Sequence, residues 1–313
     1  MQVSNRILLR LSLALFVVSS AVIFGVVSQG FTSAPHAFAC CSGSFYGGDT
    51  TKVDNATQSI FPQLQGAYCG ITDAMAVTNY ADEDKGVSMV FTSQNQQKTV
   101  ASDNKNVGAA SQWGGEGNAY AGVTNISGDF GTDPRSEAYM SYHYTPIGYY
   151  YHNFIYRWQF VHSSAPSHSQ QVLEATSLMG HQLVNWHEPL IVAVNEGLHF
   201  LLVTGVYSTN DPFTFFPAGI TGLTYRDPQD ATHHTVSISD WTNGISGGYD
   251  LWKYTYGNPN DPDPNIGPYT PGPGQEHWSG GFDWISRDAN TTGNQWSPDW
   301  AFNAYNNAQL TTP

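Results

Sequence analysis

The chain has little charge, and most of the charge that it has is negative. Charged residues make up 12% of its 313 residues, and 25 acidic side chains outnumber 11 basic ones, for a formal net charge of −14. Globular proteins carry about 25% charged residues on average. Because a nucleic-acid interface needs a surplus of Lys and Arg against the phosphates, this balance excludes nucleic acid as an expected partner. A hydrophobic content of 40% is enough for a packed core.

Cysteine is also scarce. The three cysteines are Cys40, Cys41 and Cys69, too few for a disulfide framework, so stability must come from packing. A disulfide from Cys40 or Cys41 to Cys69 is one hypothesis, and it would hold an exported protein latent until the bond was reduced or the N-terminal arm removed.

The N-terminus predicts export. Arg6 and Arg10 precede an apolar run over residues 11–27, and the small-residue site Ala37-Phe38-Ala39 follows it. This is the order of a secretory signal peptide, so residues 1–39 are expected to be removed and the protein to be secreted. An uncleaved anchor at the cell surface is the alternative, since the run approaches the about 20 residues that span a membrane. Membrane contact is expected only through this segment.

The remaining chain divides by composition. Residues 40–59 are small and polar without a period, which predicts a lead-in arm. Residues 60–256 form the predicted domain, and residues 257–274 are rich in Pro and Gly, which predicts a linker or long loop. The aromatic residues 275–313 are expected to pack back on the domain as a C-terminal extension.

Local signals place further elements. Asp133 before Pro134 predicts a helix from residue 134 to about 144. A second helix is predicted from residue 170 to about 185, with Ser167 or Ser169 as its cap. Residues 147–161 alternate aromatic and other side chains and fit either a strand pair or a helix.

A lone cysteine stands at the predicted start of a helix. Gly66 and Gly70 mark a turn around Cys69, and apolar residues up to Tyr80 recur at three- and four-residue spacing. A thiol at a helix N-terminus lies at the positive end of the helix dipole, which favours the thiolate. Cys69 is therefore a candidate nucleophile, and a buried structural cysteine is the alternative.

A predicted β-hairpin supplies a candidate base. Residues 189–195 and 198–207 are apolar and β-branched, and Glu196-Gly197 lies between them as a tight turn. His199 opens the second of these strands. Imidazole exchanges a proton near neutral pH, so His199 could take the thiol proton of Cys69.

The next predicted strand, residues 221–226, ends at Asp227. A carboxylate there could accept the second ring N–H of His199 and fix its tautomer. Asp211, in the loop between the two strands, is the rival for this position. Gln63 could donate its amide to an oxyanion together with the backbone N–H of Cys69.

Together these residues resemble the papain-like cysteine peptidases, and most of all the bacterial branch that removes double-glycine leaders from bacteriocins. The shared pattern begins with Gln63, six positions before Cys69-Gly70. It continues with His199, which opens a strand running into Val203-Thr204-Gly205-Val206, and with Asp227-Pro228 after the next strand. Ile71-Thr72 depart from the usual sequence after the cysteine.

The resemblance implies an α+β papain-like fold, in which a helical part that carries the nucleophile packs on an antiparallel β-sheet. It implies Cys69 as nucleophile, His199 as base, Asp227 as orienting residue and Gln63 in the oxyanion hole. The expected activity is hydrolysis of a peptide or protein substrate without a cofactor or metal. An acyltransferase that uses the same triad, and an inactive extracellular binding module, remain alternatives.

Overall fold

The computed structural model describes residues 41–66, 68–102, 134–156, 161–164, 166–194, 199–243 and 282–288. Their helices and strands are, in chain order, β1 (Ser44–Gly47), α1 (Thr50–Gln58), α2 (Cys69–Lys85), a 3₁₀ turn (Gln94–Gln96), α3 (Pro134–Tyr144), β2 (Tyr150–Tyr156), α4 (His168–Trp186), β3 (Leu190–Val194), β4 (His199–Ser208), β5 (Ile220–Arg226), β6 (His233–Ser237), α5 (Ile238–Asn243) and β7 (Phe282–Asp288). The fold is α+β with an antiparallel sheet, so the expected α+β class is confirmed, while the papain-like fold stays a prediction.

The strands form one sheet in the order β2-β7-β3-β4-β5-β6. One edge of β4 pairs first with β3, from His199 opposite Val194 to Val203 opposite Leu190. The short β1 pairs with the later part of β4, where Gly47 lies opposite Gly205. Strand β5 pairs with the opposite edge of β4, so β3 and β1 lie one after the other along the same edge of β4.

Both faces of the sheet are covered. On one face, Leu201 and Val203 of β4 pack in a core with α4 and α5. On the other face, Phe200 and Leu202 pack in a second core with α1, α2 and α3. A strand buried on both faces has a continuous apolar sequence instead of an alternating one, which explains why residues 200–203 are apolar throughout.

Helix α2 is buried along most of its length. Every residue from Cys69 to Asp82 is buried, as expected for a helix enclosed on all sides. Tyr68 precedes the helix without a side-chain cap. The C-terminus is capped by Gly86 in the left-handed region (φ 73), whose N–H donates to the carbonyl groups of Asp82 and Glu83.

Several predicted elements are confirmed. The strand pair β3 and β4 has the hairpin pairing expected from the sequence, although residues 195–198 between them lie outside the described residues. Helix α3 has the predicted bounds, and Ser167 caps α4 by accepting the N–H of Gln170. Of residues 147–161, Tyr150–Tyr156 form a single strand instead of a strand pair or a helix.

The prediction of an irregular arm over residues 40–59 is wrong for most of its length. Strand β1 pairs with β4, and α1 begins after Asp49, whose carboxylate accepts the N–H groups of Thr51 and Lys52. Strand β1 has four residues, and α1 buries only Val53, Ala56 and Thr57. With so few buried positions, these residues have no hydrophobic periodicity from which a strand or helix could be predicted.

The aromatic C-terminal region contributes a central strand. β7 lies between β2 and β3, and Trp284 is fully buried and stacks on Phe154 with ring centroids 6.1 Å apart. The sheet is therefore incomplete at residue 256, where the sequence predicted the domain to end. The predicted linker 257–274 lies outside the described residues.

No helix of the described residues is long and apolar enough to cross a membrane. The predicted signal peptide or anchor, residues 1–39, lies outside them.

If β7 is an integral strand, Trp284→Ala should destabilise the whole protein by about 3–5 kcal/mol, because it removes a fully buried aromatic side chain. In a chain of this size the melting temperature should fall by about 10 °C. Phe215→Ala is the matched control, since Phe215 is 53% exposed and its loss should change stability by less than about 0.5 kcal/mol. Thermal unfolding followed by circular dichroism measures both, and equal melting temperatures would contradict a central β7.

Candidate functional site

His199 and Asp227 meet at one end of the sheet. His199 is the first residue of β4, and Asp227 follows the last residue of β5. The two strands are antiparallel, with Leu202 opposite Arg226, so the start of β4 lies beside the end of β5. Nε2 of His199 and Oδ1 of Asp227 are 2.9 Å apart, and both residues are buried. The sequence-predicted pair of base and orienting carboxylate is thus in hydrogen-bond contact.

The turn after β5 fixes the carboxylate of Asp227. The N–H of Gln229 donates to Oδ1 of Asp227 at 2.8 Å, as in an Asx turn. The N–H of Ala231 donates to the carbonyl of Asp227 at 2.8 Å, which closes the turn. The backbone of this turn therefore positions the carboxylate independently of its hydrogen bond with His199.

Asp211, the rival orienting residue, lies elsewhere. Its Oδ1 accepts the N–H of Phe213 at 2.9 Å. The ring of Phe213 stacks on His181 of α4 at 4.6 Å between centroids, and the N–H of Ala218 in the same loop donates to Ser177 of α4. This loop thus packs against α4, and of the two candidates Asp227 is the one that contacts His199.

The thiol of Cys69 lies against the start of β4. Cys69 is the first residue of α2, and its sulfur accepts a hydrogen bond from the backbone N–H of Phe200. The nitrogen of Phe200 is bonded to the carbonyl carbon of His199, so the thiol lies beside the peptide unit that carries the candidate base. Two segments 130 positions apart in the sequence are thereby brought to one corner of the molecule.

The environment of the thiol disfavours the thiolate. Burial first, and then the charges of Glu137 and Asp73, raise the pKa of Cys69 to about 12, although the backbone N–H groups of Phe200 and Gly70 act to lower it. The position of Cys69 at a helix N-terminus predicted the opposite direction. Burial outweighs the helix dipole because Cys69 is only 6% exposed. A neighbouring base is therefore needed to take the thiol proton.

A backbone hydrogen bond places Gln63 next to the His199–Asp227 pair. Its N–H donates to the carbonyl of Pro228 at 2.7 Å, which ties the loop before α2 to the turn after Asp227. Its side-chain amide donates to the carbonyls of Gln65 at 2.9 Å and Gly66 at 3.1 Å. The amide hydrogens are thus engaged within the turn, and the oxyanion-hole role of Gln63 stays a prediction.

The side chain of Gln97 stabilises the same loop through hydrogen bonds. Its Oε1 accepts the N–H of Leu64 at 2.7 Å, and its Nε2 donates to the carbonyl of Ile60 at 2.6 Å. Gln97 is fully buried. These contacts supply hydrogen-bond partners for an irregular segment that would otherwise bury unpaired backbone groups.

Two buried acids beside Cys69 were not found from the sequence. Asp73 lies one turn after Cys69 on α2, and Glu137 lies on α3; both are fully buried. Both act electrostatically on the thiol. The only signal in the sequence is the four-residue spacing from Cys69 to Asp73, and an acid at that spacing is ordinarily assigned to an exposed helix face.

The hypothesis that a disulfide from Cys40 or Cys41 to Cys69 keeps the protein latent is wrong in this structure. Cys41 is disulfide-bonded, and Cys69 is a free thiol. Among the described parts of the chain, no three His, Cys, Asp or Glu side chains are grouped in a way that could hold a metal ion.

Comparison of the chain with protein-family models, with curated proteins and with solved structures found no match. The functional interpretation therefore depends on the geometry of this site.

Labelling of the unreduced protein should distinguish the two thiol states. In denaturant, iodoacetamide should modify Cys69 and leave Cys41 unmodified, because Cys41 is in a disulfide and Cys69 is free. Peptide mapping by mass spectrometry measures both sites. An unlabelled Cys69 would restore the hypothesis of a disulfide from Cys40 or Cys41 to Cys69.

Proposed function

We propose that the chain is an exported cysteine peptidase with a papain-like arrangement, which hydrolyses peptide bonds through Cys69, His199 and Asp227. The observation that carries the proposal is the buried hydrogen bond of 2.9 Å from His199 to Asp227, formed next to the peptide unit that binds the thiol of Cys69. A nucleophile, a base and a carboxylate that orients the base are the three parts that this chemistry requires.

The contacts of His199 support a separate role for each of its ring nitrogens. Nε2–H donates to Asp227, so Nδ1 is the nitrogen that exchanges a proton with the thiol. As the sulfur of Cys69 attacks the substrate carbonyl carbon, its proton passes to Nδ1. The buried Asp227 carboxylate stabilises the imidazolium that forms. The imidazolium then gives this proton to the leaving amine as the C–N bond breaks.

The second half of the reaction releases the acyl group. The thioester on Cys69 is attacked by water, whose proton passes to His199, and the sulfur leaves and regains a proton. The tetrahedral intermediates carry a negative oxygen, for which the backbone N–H of Cys69 is one donor. Gln63 is the second donor if its amide turns away from the carbonyls of Gln65 and Gly66.

The raised pKa of Cys69 selects between two modes of thiol activation. A thiol with a pKa of about 12 is protonated at neutral pH, so the proton moves to His199 during the attack and not before it. The site then works by general-base catalysis in place of a preformed thiolate–imidazolium pair.

A peptide library tests the reaction class. Incubation of the mature protein with a mixed peptide library should yield shortened peptides, identified by mass spectrometry, and Cys69→Ala should yield none. The same incubation with an added primary amine separates hydrolysis from transfer. Products joined to the amine in place of free carboxylates would replace the peptidase with an acyltransferase, and no Cys69-dependent products would overturn both.

Asp227 and Asp211, the two candidates for the orienting role, provide a matched pair of substitutions. Asp227→Asn should lower kcat by about 10⁴-fold, because an amide in that position no longer selects the productive tautomer of His199. Asp211→Asn should leave kcat within a few-fold of the wild type, since the Asp211 side chain accepts an N–H in a loop on α4. Steady-state hydrolysis of a peptide chosen from the library measures both, and equal effects of the two substitutions would contradict the assigned role of Asp227.

A further inference from the structure

Asp73 is a buried carboxyl group with no hydrogen-bond partner among the described residues. The residue is fully buried, and neither of its side-chain oxygens is hydrogen-bonded to another described group. Carboxyl groups are seldom buried in this way, because the ionised form loses its hydration and gains nothing in return. Such a residue costs stability, and a contribution to function would explain its presence.

The position of Asp73 connects it to the thiol. Asp73 follows Cys69 by four residues on α2, so the two side chains lie on the same face of the helix, with about 5–6 Å between their Cβ atoms. Side chains on a helix lean towards its N-terminus, so the carboxyl group of Asp73 leans towards the turn that carries Cys69.

The described groups that act on Asp73 by charge are also acidic. They are Glu137, on the neighbouring helix α3, and Asp227, at the end of β5. Asp227 is itself paired with His199 of β4. Ionisation of Asp73 would therefore place a further negative charge among existing ones.

We propose that Asp73 is a positioning residue for Cys69, and that its carboxyl group must be protonated for the thiol to react. This proposal rests on the proposed role of Cys69 as the nucleophile. In the protonated state Asp73 adds no charge beside the sulfur and has an O–H group to donate. In the ionised state it opposes the negative charge that the sulfur gains during attack.

The electrostatic environment supports the protonated state. Burial, followed by the charges of Glu137 and Asp227, raises the pKa of Asp73 well above its ordinary value. The group is therefore neutral below its raised pKa and ionises as the pH rises through it. The alkylation rate of Cys69 should rise with pH below that transition, as the thiolate fraction grows, and should level off above it.

The size of the effect follows from the separation of the two groups. A negative charge about 6 Å from the sulfur, at an effective dielectric constant of about 20, slows formation of the thiolate by about 100-fold. Asn is nearly the same size as Asp and carries no charge at any pH. Asp73→Asn should therefore remove the levelling-off of the alkylation rate while it keeps the shape of the site.

The test uses alkylation of Cys69 in the folded protein by iodoacetamide, at a series of pH values over which the protein remains folded. Asp82→Asn is the matched control: Asp82 is on the same helix, is also buried and lies 13 residues after Cys69, about 20 Å along the axis. The ratio of the rate for Asp73→Asn to that of the wild type should be near one at low pH and should rise to about 100 at high pH. Asp82→Asn should follow the wild type throughout.

Two results would overturn the proposal: a ratio that does not change with pH, or the same pH dependence in Asp82→Asn. Should Asp73→Asn fail to fold, Glu137→Gln provides a second test. Removing the charge of Glu137 lowers the pKa of Asp73, so the levelling-off of the alkylation rate should begin at lower pH than in the wild type. The direct effect of Glu137 on the thiol changes the size of the rate, and not the pH at which it levels off. An unmoved transition would overturn the proposal.

Alkylation and peptide hydrolysis separate this proposal from the proposed function. If no peptide is cleaved but the alkylation ratio rises with pH, the peptidase proposal fails and the role of Asp73 stands. If peptides are cleaved and the ratio is constant, the peptidase stands and the role of Asp73 fails.

Discussion

The packing of α2 against β4 is the interaction on which the candidate site depends. Residues of α2 share a core with Phe200 and Leu202 of β4, and the first residue of the helix, Cys69, accepts the N–H of Phe200. The same strand begins with His199, which contacts Asp227. Because α2 is enclosed on all sides, the thiol cannot move from this corner without breaking the core.

This burial has an electrostatic consequence. It places the thiol accurately, but it also removes water from Cys69 and from the acids Asp73 and Glu137, and so raises the pKa of the thiol. The N–H groups at the helix start are too few to reverse that effect. In the proposed mechanism, activation of the sulfur therefore comes from His199 at the moment of attack, and the proposed protonation of Asp73 sets the pH range in which this occurs.

Local patterns in the sequence predicted the elements that have strong local signals. The apolar strands β3 and β4, the bounds of α3 and the cap of α4 belong to this group, and so do His199 and Asp227 at strand ends. Strand β7 was not predicted as part of the sheet, because its pairing with β2 and β3 is non-local and a Pro- and Gly-rich segment precedes it. The choice of Asp227 over Asp211 depends on where the intervening loop packs, and the burial of Asp73 depends on a tertiary contact with α3; neither is encoded in spacing alone.

The central claim is that Cys69 carries the acyl group of a peptide during turnover. Acid quenching of the protein during hydrolysis of a peptide library, followed by peptide mapping, measures this directly. The account predicts a mass increase on Cys69 equal to the acyl part of a substrate, formed by the wild type and absent from His199→Ala. Cleavage of the library without any adduct on Cys69, or with an adduct on a different residue, would contradict it.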